Sequence, residues 1–248
     1  MAHGPDTDRL LYRIQNIVKN PNKSVCSLEI MNLDIWSLPK LPHGITHLYC
    51  YNTQLHEIKQ LPATLKHLNC KNTEITKLCS LPDGLEVLHC DSTHLRSLPD
   101  LPSSLYYLDC SDCELREIPT LPLRLKKLFC AKNKKLTCLP KLPDSITELD
   151  CSFNNLVELP VLSPNLTYMN CSYTKITVLP EFPLMLRWLY SDTASLILQR
   201  LKDETVYDYG MRWSQWKEAK RCNDRALIIK EELIAKTWDP NNIPNMFC

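Results

Sequence analysis

A pattern that returns almost every twenty residues constrains this chain more than any other feature it carries. The stretch from Leu101 to Thr120 shows it whole: Leu-Pro-Ser-Ser-Leu-Tyr-Tyr-Leu-Asp-Cys-Ser-Asp-Cys-Glu-Leu-Arg-Glu-Ile-Pro-Thr. From Ile45 the unit reads Leu-x-x-Leu-x-Cys-x-x-Thr-x-Leu-x-x-Ile, then a Leu-Pro segment, and it restarts at Leu65, Leu85, Leu105, Leu125, Ile146, Leu166 and Leu186. A degenerate earlier copy runs through Leu28, Ile30, Leu33, Ile35 and Leu38, which makes about nine units. A unit this short cannot bury its apolar face alone. It does so against its neighbours, so the core is expected in layers along an elongated array.

Within a unit, Leu48 and Cys50 are expected to point inward while His47 and Tyr49 face out, because side chains alternate along a strand. Stacked units then give one parallel sheet. Leu61-Pro62, Leu81-Pro82 and Leu101-Pro102 are too short and too proline-rich for a helix, since proline lacks a donor and disfavours helix in its predecessor. An extended outer side follows. Position nine (Thr53, Thr73, Thr93, Cys113, Asn133, Asn154, Thr174) is where a side chain can bond the turn that leaves the strand. This is the leucine-rich repeat pattern, and the expected fold class is an α/β solenoid, a horseshoe with the parallel sheet on its concave face.

Three segments are expected: an N-terminal helical cap over 1–26, the solenoid over 27–196 and a C-terminal helical cap over 197–248. Leu10, Leu11, Ile14, Ile17 and Val18 recur at helical spacing, and Cys222, Ala226, Ile229 and Leu233 form a second amphipathic stripe. The spacing from Cys130 to Cys151 is 21 rather than 20, so a local bulge is expected near Lys134 and Lys135. With Lys126, Lys127 and Lys132 these lysines also make a basic spot.

Thirteen cysteines would suggest a disulfide framework in a short secreted protein. Seven of them, however (Cys50, Cys70, Cys90, Cys110, Cys130, Cys151, Cys171), share one inward position. A free cysteine is a small, readily buried hydrophobe, so the column is expected as core thiols in a reducing, intracellular setting, host cytoplasm or virion. Zinc needs ligands converging on one point, and a line of thiols does not supply that. The formal charge of +1 gives no concentrated basic face, which argues against nucleic acid as the main ligand. No run reaches the roughly 18 apolar residues of a membrane span, so membrane insertion is not expected.

The register sorts aromatic residues outward: Tyr49, Tyr51, Tyr106, Tyr107, Phe129, Phe153, Tyr168, Tyr173, Trp188 and Tyr190. His47, His67, His89, Asp109, Lys127 and Asp150 share that face. Rings give large contact area at low entropy cost, so this concave surface is the candidate protein-binding site. Stacking of the same rings would also support the sheet. Lys66 with Glu86, and Lys71 with Asp91, are expected as cross-strand pairs. No cofactor and no metal site are expected, because His67 and His89 lack further convergent ligands. Self-association through the same aromatic face stays open.

The Leu-Pro-x-Leu-Pro-x-x-Leu-x-x-Leu-x-Cys units at 99–110 and 140–151 resemble the repeats of bacterial type III secreted leucine-rich effectors, the YopM and IpaH group. The cysteine-rich version is similar to repeat proteins of large double-stranded DNA viruses, as is the tail Arg225-x5-Glu231-Glu232-Leu233-Ile234-Ala235-x2-Trp238-x-Pro240. The resemblance implies a non-catalytic viral factor binding host proteins, with a virion component, in the capsid or inside the particle, as the alternative. IpaH-like effectors also carry a ubiquitin ligase domain with a Cys-x-Asp nucleophile. Cys110-Ser111-Asp112 and Cys222-Asn223-Asp224 match those letters, but Cys110 is a core position and Cys222 fits an apolar helical stripe. No enzyme is expected.

Overall fold

Each repeat contributes one short strand to a continuous parallel sheet in the computed structural model, which describes residues 4–19, 26–177, 180 and 182–191. The expected C-terminal helices of 197–248 lie outside the described residues. The strands are β1 (Cys26–Glu29), β2 (Ile45–Tyr49), β3 (His67–Asn69), β4 (Val87–His89), β5 (Tyr107–Asp109), β6 (Lys127–Phe129), β7 (Glu148–Asp150), β8 (Tyr168–Asn170) and β9 (Trp188–Tyr190). They pair in sequence order, β1 to β9, as a solenoid requires. Pairing is in step: Leu48, Leu68, Leu88, Leu108, Leu128, Leu149, Met169 and Leu189 form one inward file.

Those side chains and the cysteine column are buried, together with the leucines or isoleucines at position one from Ile45 to Leu186 and at position eleven from Ile35 to Ile176. Burying one such side chain contributes about 1.5–3 kcal/mol, so each layer is held mainly by its own handful of apolar residues. The seven column thiols are free and buried. Several point at the next strand's carbonyl, as Cys70 Sγ does to His89 O at 3.4 Å and Cys90 Sγ to Asp109 O at 3.4 Å. Burial pushes the Cys50 thiol up to about 12, so these sulfurs stay protonated and unreactive.

Past each of β1 to β8 one residue takes a left-handed conformation and the chain turns away. The residues are Asn32, Asn52, Asn72, Ser92, Asp112, Lys132, Phe153 and Tyr173, with φ between 51° and 59°. Asparagine is tolerant there, and in the first units it also stacks: Asn72 Nδ2 donates to Asn52 Oδ1 at 2.9 Å, and Asn52 Nδ2 to Asn32 Oδ1 at 3.0 Å.

Position nine closes the turn in two ways. Thr53, Thr73 and Thr93 each donate their hydroxyl at 2.8 Å to the carbonyl of the cysteine three residues earlier. Asn133 does that to Cys130 O at 3.1 Å and also reaches the preceding unit, donating to Cys110 O at 3.0 Å and accepting from Leu115 N at 3.0 Å. Asn154 repeats the arrangement one unit on, with Cys151 O at 2.8 Å, Cys130 O at 2.9 Å and Asn133 N at 2.7 Å.

On the outer side the prolines start tight turns instead of helices: Leu65 N donates to Pro62 O at 3.0 Å, and Leu85, Leu105, Leu125, Ile146 and Leu186 repeat the bond to their own Pro carbonyls. The extra residue of the 21-residue unit falls between Asn133 and Leu136, whose N donates to Asn133 O at 2.9 Å. Strand register is untouched by it, because Lys127 still pairs with Glu148. At the other end α1 (Thr7–Lys19) contributes Leu10 to the core and packs against β1, and Asp6 accepts from Asp34 N at 2.9 Å.

Candidate functional site: the concave face

Two outward files run along the sheet. Position three holds His47, His67, Val87, Tyr107, Lys127, Glu148, Tyr168 and Trp188; position five holds Tyr49, Asn69, His89, Asp109, Phe129, Asp150, Asn170 and Tyr190. Position seven adds Tyr51, Lys71 and Asp91 beside them.

Rings join across units in a continuous run over the first half. Ring centroids are 5.5 Å apart for His47 and His67, 5.2 Å for Tyr49 and His67, 5.7 Å for His67 and His89, 4.6 Å for His89 and Tyr107, and 5.6 Å for Tyr107 and Phe129. These are ordinary distances for favourable tilted or offset ring pairs. The run stops at β7, where Glu148 takes Lys127 Nζ at 2.8 Å and Asp150 accepts from Ser152 N at 3.0 Å, Ser152 Oγ at 2.6 Å and Asn170 Nδ2 at 3.2 Å. Beyond it Tyr168 and Tyr190 pair at 5.7 Å. A groove of about 520 Å³ opens there between Phe129, Glu148, Thr167, Tyr168, Arg187 and Trp188. Trp188 is 47% exposed and forms part of its wall.

Four of the candidate residues stand elsewhere than on a concave strand, Tyr51 among them, two residues past the end of β2. Phe153 and Tyr173 occupy the left-handed turn position, 45% and 50% exposed, with rings stacked at 4.3 Å. Strand alternation ends one or two residues earlier than the sequence pattern suggests. Tyr106 precedes β5, in file with Lys66 and Glu86. Of the two expected cross-strand pairs, Lys66 and Glu86 form theirs at 3.1 Å. Lys71 instead places Nζ over the Tyr51 ring, 5.7 Å from its centroid, and makes no ion pair with Asp91 among the described residues. Of the basic spot, Lys127 is matched by Glu148 and Lys135 by Glu114 at 3.1 Å.

Burial, then the proximity of His89 and His47, holds His67 down to about 4, so it is neutral in neutral solution. Burial and then Asp109 push the Tyr107 hydroxyl up to about 12; burial and then Asp150 do the same to Tyr168. With His67 neutral and the Tyr107 and Tyr168 hydroxyls protonated, the face presents rings with hydroxyl and imidazole edges, broken by carboxylates. Of the groove residues, the two-residue alternation points to Phe129, Tyr168 and Trp188; Glu148, Thr167 and Arg187 are not singled out, because the aromatic side chains lead the assignment in these units.

A solved structure of YopM from Yersinia enterocolitica WA-314 matches with a TM-score of 0.66 at 34% identity, covering 71% of this chain and 39% of that one. The protein is a leucine-rich repeat protein with a YopM-like fold. The leucine-rich repeat domain of a Shigella effector matches with a TM-score of 0.59 at 25% identity over 88% of this chain and 86% of that one. The chain thus spans 39% of the YopM chain it matches. No family model and no curated protein matches the sequence. Among the described residues no helix is long and apolar enough to cross a membrane.

Proposed function

We propose that this chain is a non-catalytic interaction module that binds a partner protein through its concave face. The observation that carries this reading is the ring run from His47 to Phe129, continued past β7 by Tyr168, Trp188 and Tyr190 around an open groove. Such surfaces combine rigid apolar contact with hydrogen-bonding edges, the composition found where interfaces concentrate their binding energy. Similarity to effector repeat domains supports a host protein as the partner. The resemblance of the tail to viral proteins supports a viral source for the chain. Free buried thiols support a reducing compartment as its place of action.

Changing Tyr107, Tyr168 and Trp188 together to Ala tests the face. All three are outward, so the triple variant is expected to keep the parent's far-ultraviolet spectrum while losing the partners that the parent captures from host lysate. Recovery of the same partners by the folded variant rejects the concave face as the binding site.

A further inference from the structure

We propose that His89, Asp91 and Asp109 form a binding site for one first-row divalent cation at the junction of β4 and β5. Strand geometry brings the three together. His89 and Asp91 are two residues apart and so lie on the same side of their unit, and Asp109 is the in-register partner of His89 on the next strand. One donor atom from each side chain lies within 4.8 Å of the other two. Nitrogen and oxygen donors sit about 2.0–2.2 Å from such an ion, hence roughly 3.3–3.6 Å from one another, a closure of about an ångström that side-chain rotation supplies.

The second observation is an orphaned atom inside the cluster. Asp91 carries an Oδ1 that is shut off from solvent and has no hydrogen-bond partner. Other carboxylates on this face are provided for: Asp109 accepts from Ser111 N at 3.1 Å, and Asp150 has three donors. The cation best placed to neutralise Asp91, Lys71, has its Nζ over the Tyr51 ring instead. A buried carboxylate oxygen left without a donor is costly. A bound cation would remove that cost and offset the repulsion between the two aspartates. The neighbouring His67, whose ring lies 5.7 Å from that of His89, likewise has its Nε2 buried without a partner.

One imidazole and two carboxylates suit zinc, cobalt, nickel or manganese rather than calcium, which takes six to eight oxygens. Three protein donors leave coordination positions for water or for a donor from a bound protein. The site does not depend on the partner-binding reading, and either can fail without the other.

The full-length chain, kept reduced with a phosphine, is titrated with Co²⁺ followed by absorption and with Zn²⁺ followed by calorimetry. One equivalent is expected to bind, without a sulfur-to-metal charge-transfer band. Asp91→Asn and Asp109→Asn are each expected to weaken binding by about tenfold or more, while Asp150→Asn leaves it unchanged. Asp91→Asn keeps the shape of the side chain and removes its charge, so its folding, checked by circular dichroism, is not in danger. Absence of binding by the parent, equal binding by both cluster variants, or a thiolate charge-transfer band on the bound cobalt would each overturn the assignment.

Discussion

Units built on Thr53, Thr73 and Thr93 and units built on Asn133 and Asn154 fold the same strand and the same turn, yet they are tied together differently. In the Thr53 and Thr73 units the position-nine side chain closes its own turn through a single bond to the cysteine carbonyl, and Thr93 adds only a contact with Cys113 Sγ of the next unit at 3.2 Å. In the asparagine units it also takes a carbonyl and an amide from the unit before. The surfaces differ as well: the ring run begins on the threonine units and reaches Phe129 in the Asn133 unit, and the carboxylates that interrupt it, Glu148 and Asp150, stand in the Asn154 unit. Cohesion between layers comes from outside the core in one region and from beneath the turn in the other. A hydroxyl has one proton to give, whereas a primary amide has two plus an accepting oxygen, and that difference decides how many layers one residue can join.

Removing the amide is the strongest way to break this comparison. Asn133→Ala strands Leu115 N and the Cys110 carbonyl in a buried place and leaves Cys130 O with Asn154 Nδ2 as its side-chain donor, and the expected loss is about 2–4 kcal/mol of unfolding free energy in urea. Thr73→Val keeps the volume and strands one carbonyl, with an expected loss of about 1 kcal/mol. Equal losses from the two would mean that the bonds to the preceding unit contribute nothing measurable.

A second test sharpens the contrast through pH. His67 belongs to the ring run and is faced by His47, Tyr49 and His89. Its folded-state pKa of about 4 lies below the ordinary 6.5, so the stability its neutral form contributes is full above pH 6.5 and is lost as pH falls towards 4. Asp91 works against it. Burial and then Asp109 raise its carboxyl from 3.8 to about 6, so its contribution is full below pH 3.8 and is lost as pH rises through about 6. The parent's own profile is therefore partly flattened, and the informative quantity is the difference from a single variant. Relative to His67→Gln, the parent is expected to lose on the order of 1 kcal/mol between pH 7 and pH 4.5, a figure reduced for the partial exposure of the ring. No change in that difference would show that His67 titrates normally.

The smallest expected effect is at the break in the ring run. Lys127 and Glu148 meet at 2.8 Å but both are partly exposed, so Lys127→Met is expected to change unfolding free energy by no more than about 0.5 kcal/mol. A larger loss would mean that the charges at β7 hold the two ring segments in place as well as separating them.

Much of this was legible in the twenty-residue pattern. The inward leucines, the thiol column, the extended outer side and the bonding role of position nine all follow from which residue types repeat and which do not. The strand's end was not legible at Phe153 and Tyr173, because alternation gives no stop signal and an aromatic residue at a left-handed position is uncommon. A signal was present nonetheless: Asn32, Asn52 and Asn72 share that position and mark it as one where the backbone must accept positive φ. The sequence also could not tell which neighbour Lys71 would choose. Asp91 and Tyr51 flank it on opposite sides at the same spacing, and only the packed arrangement selects the ring. The convergence of His89 with Asp91 and Asp109 was missed for the same reason, since pairing Asp91 with a lysine removes it from consideration as a ligand.

The extra residue between Asn133 and Leu136 has a consequence for engineering. The array reads each strand afresh from its leucines, so length added at that point is absorbed before the next strand begins and the downstream frame is preserved. Asn155 Nδ2 even fastens the enlarged turn, donating to Lys134 O at 2.6 Å. A foreign loop spliced between these two residues would stand out from the rim of the horseshoe without shifting a single layer. The solenoid thus carries a ready insertion port for a tag, an epitope or a second binding loop.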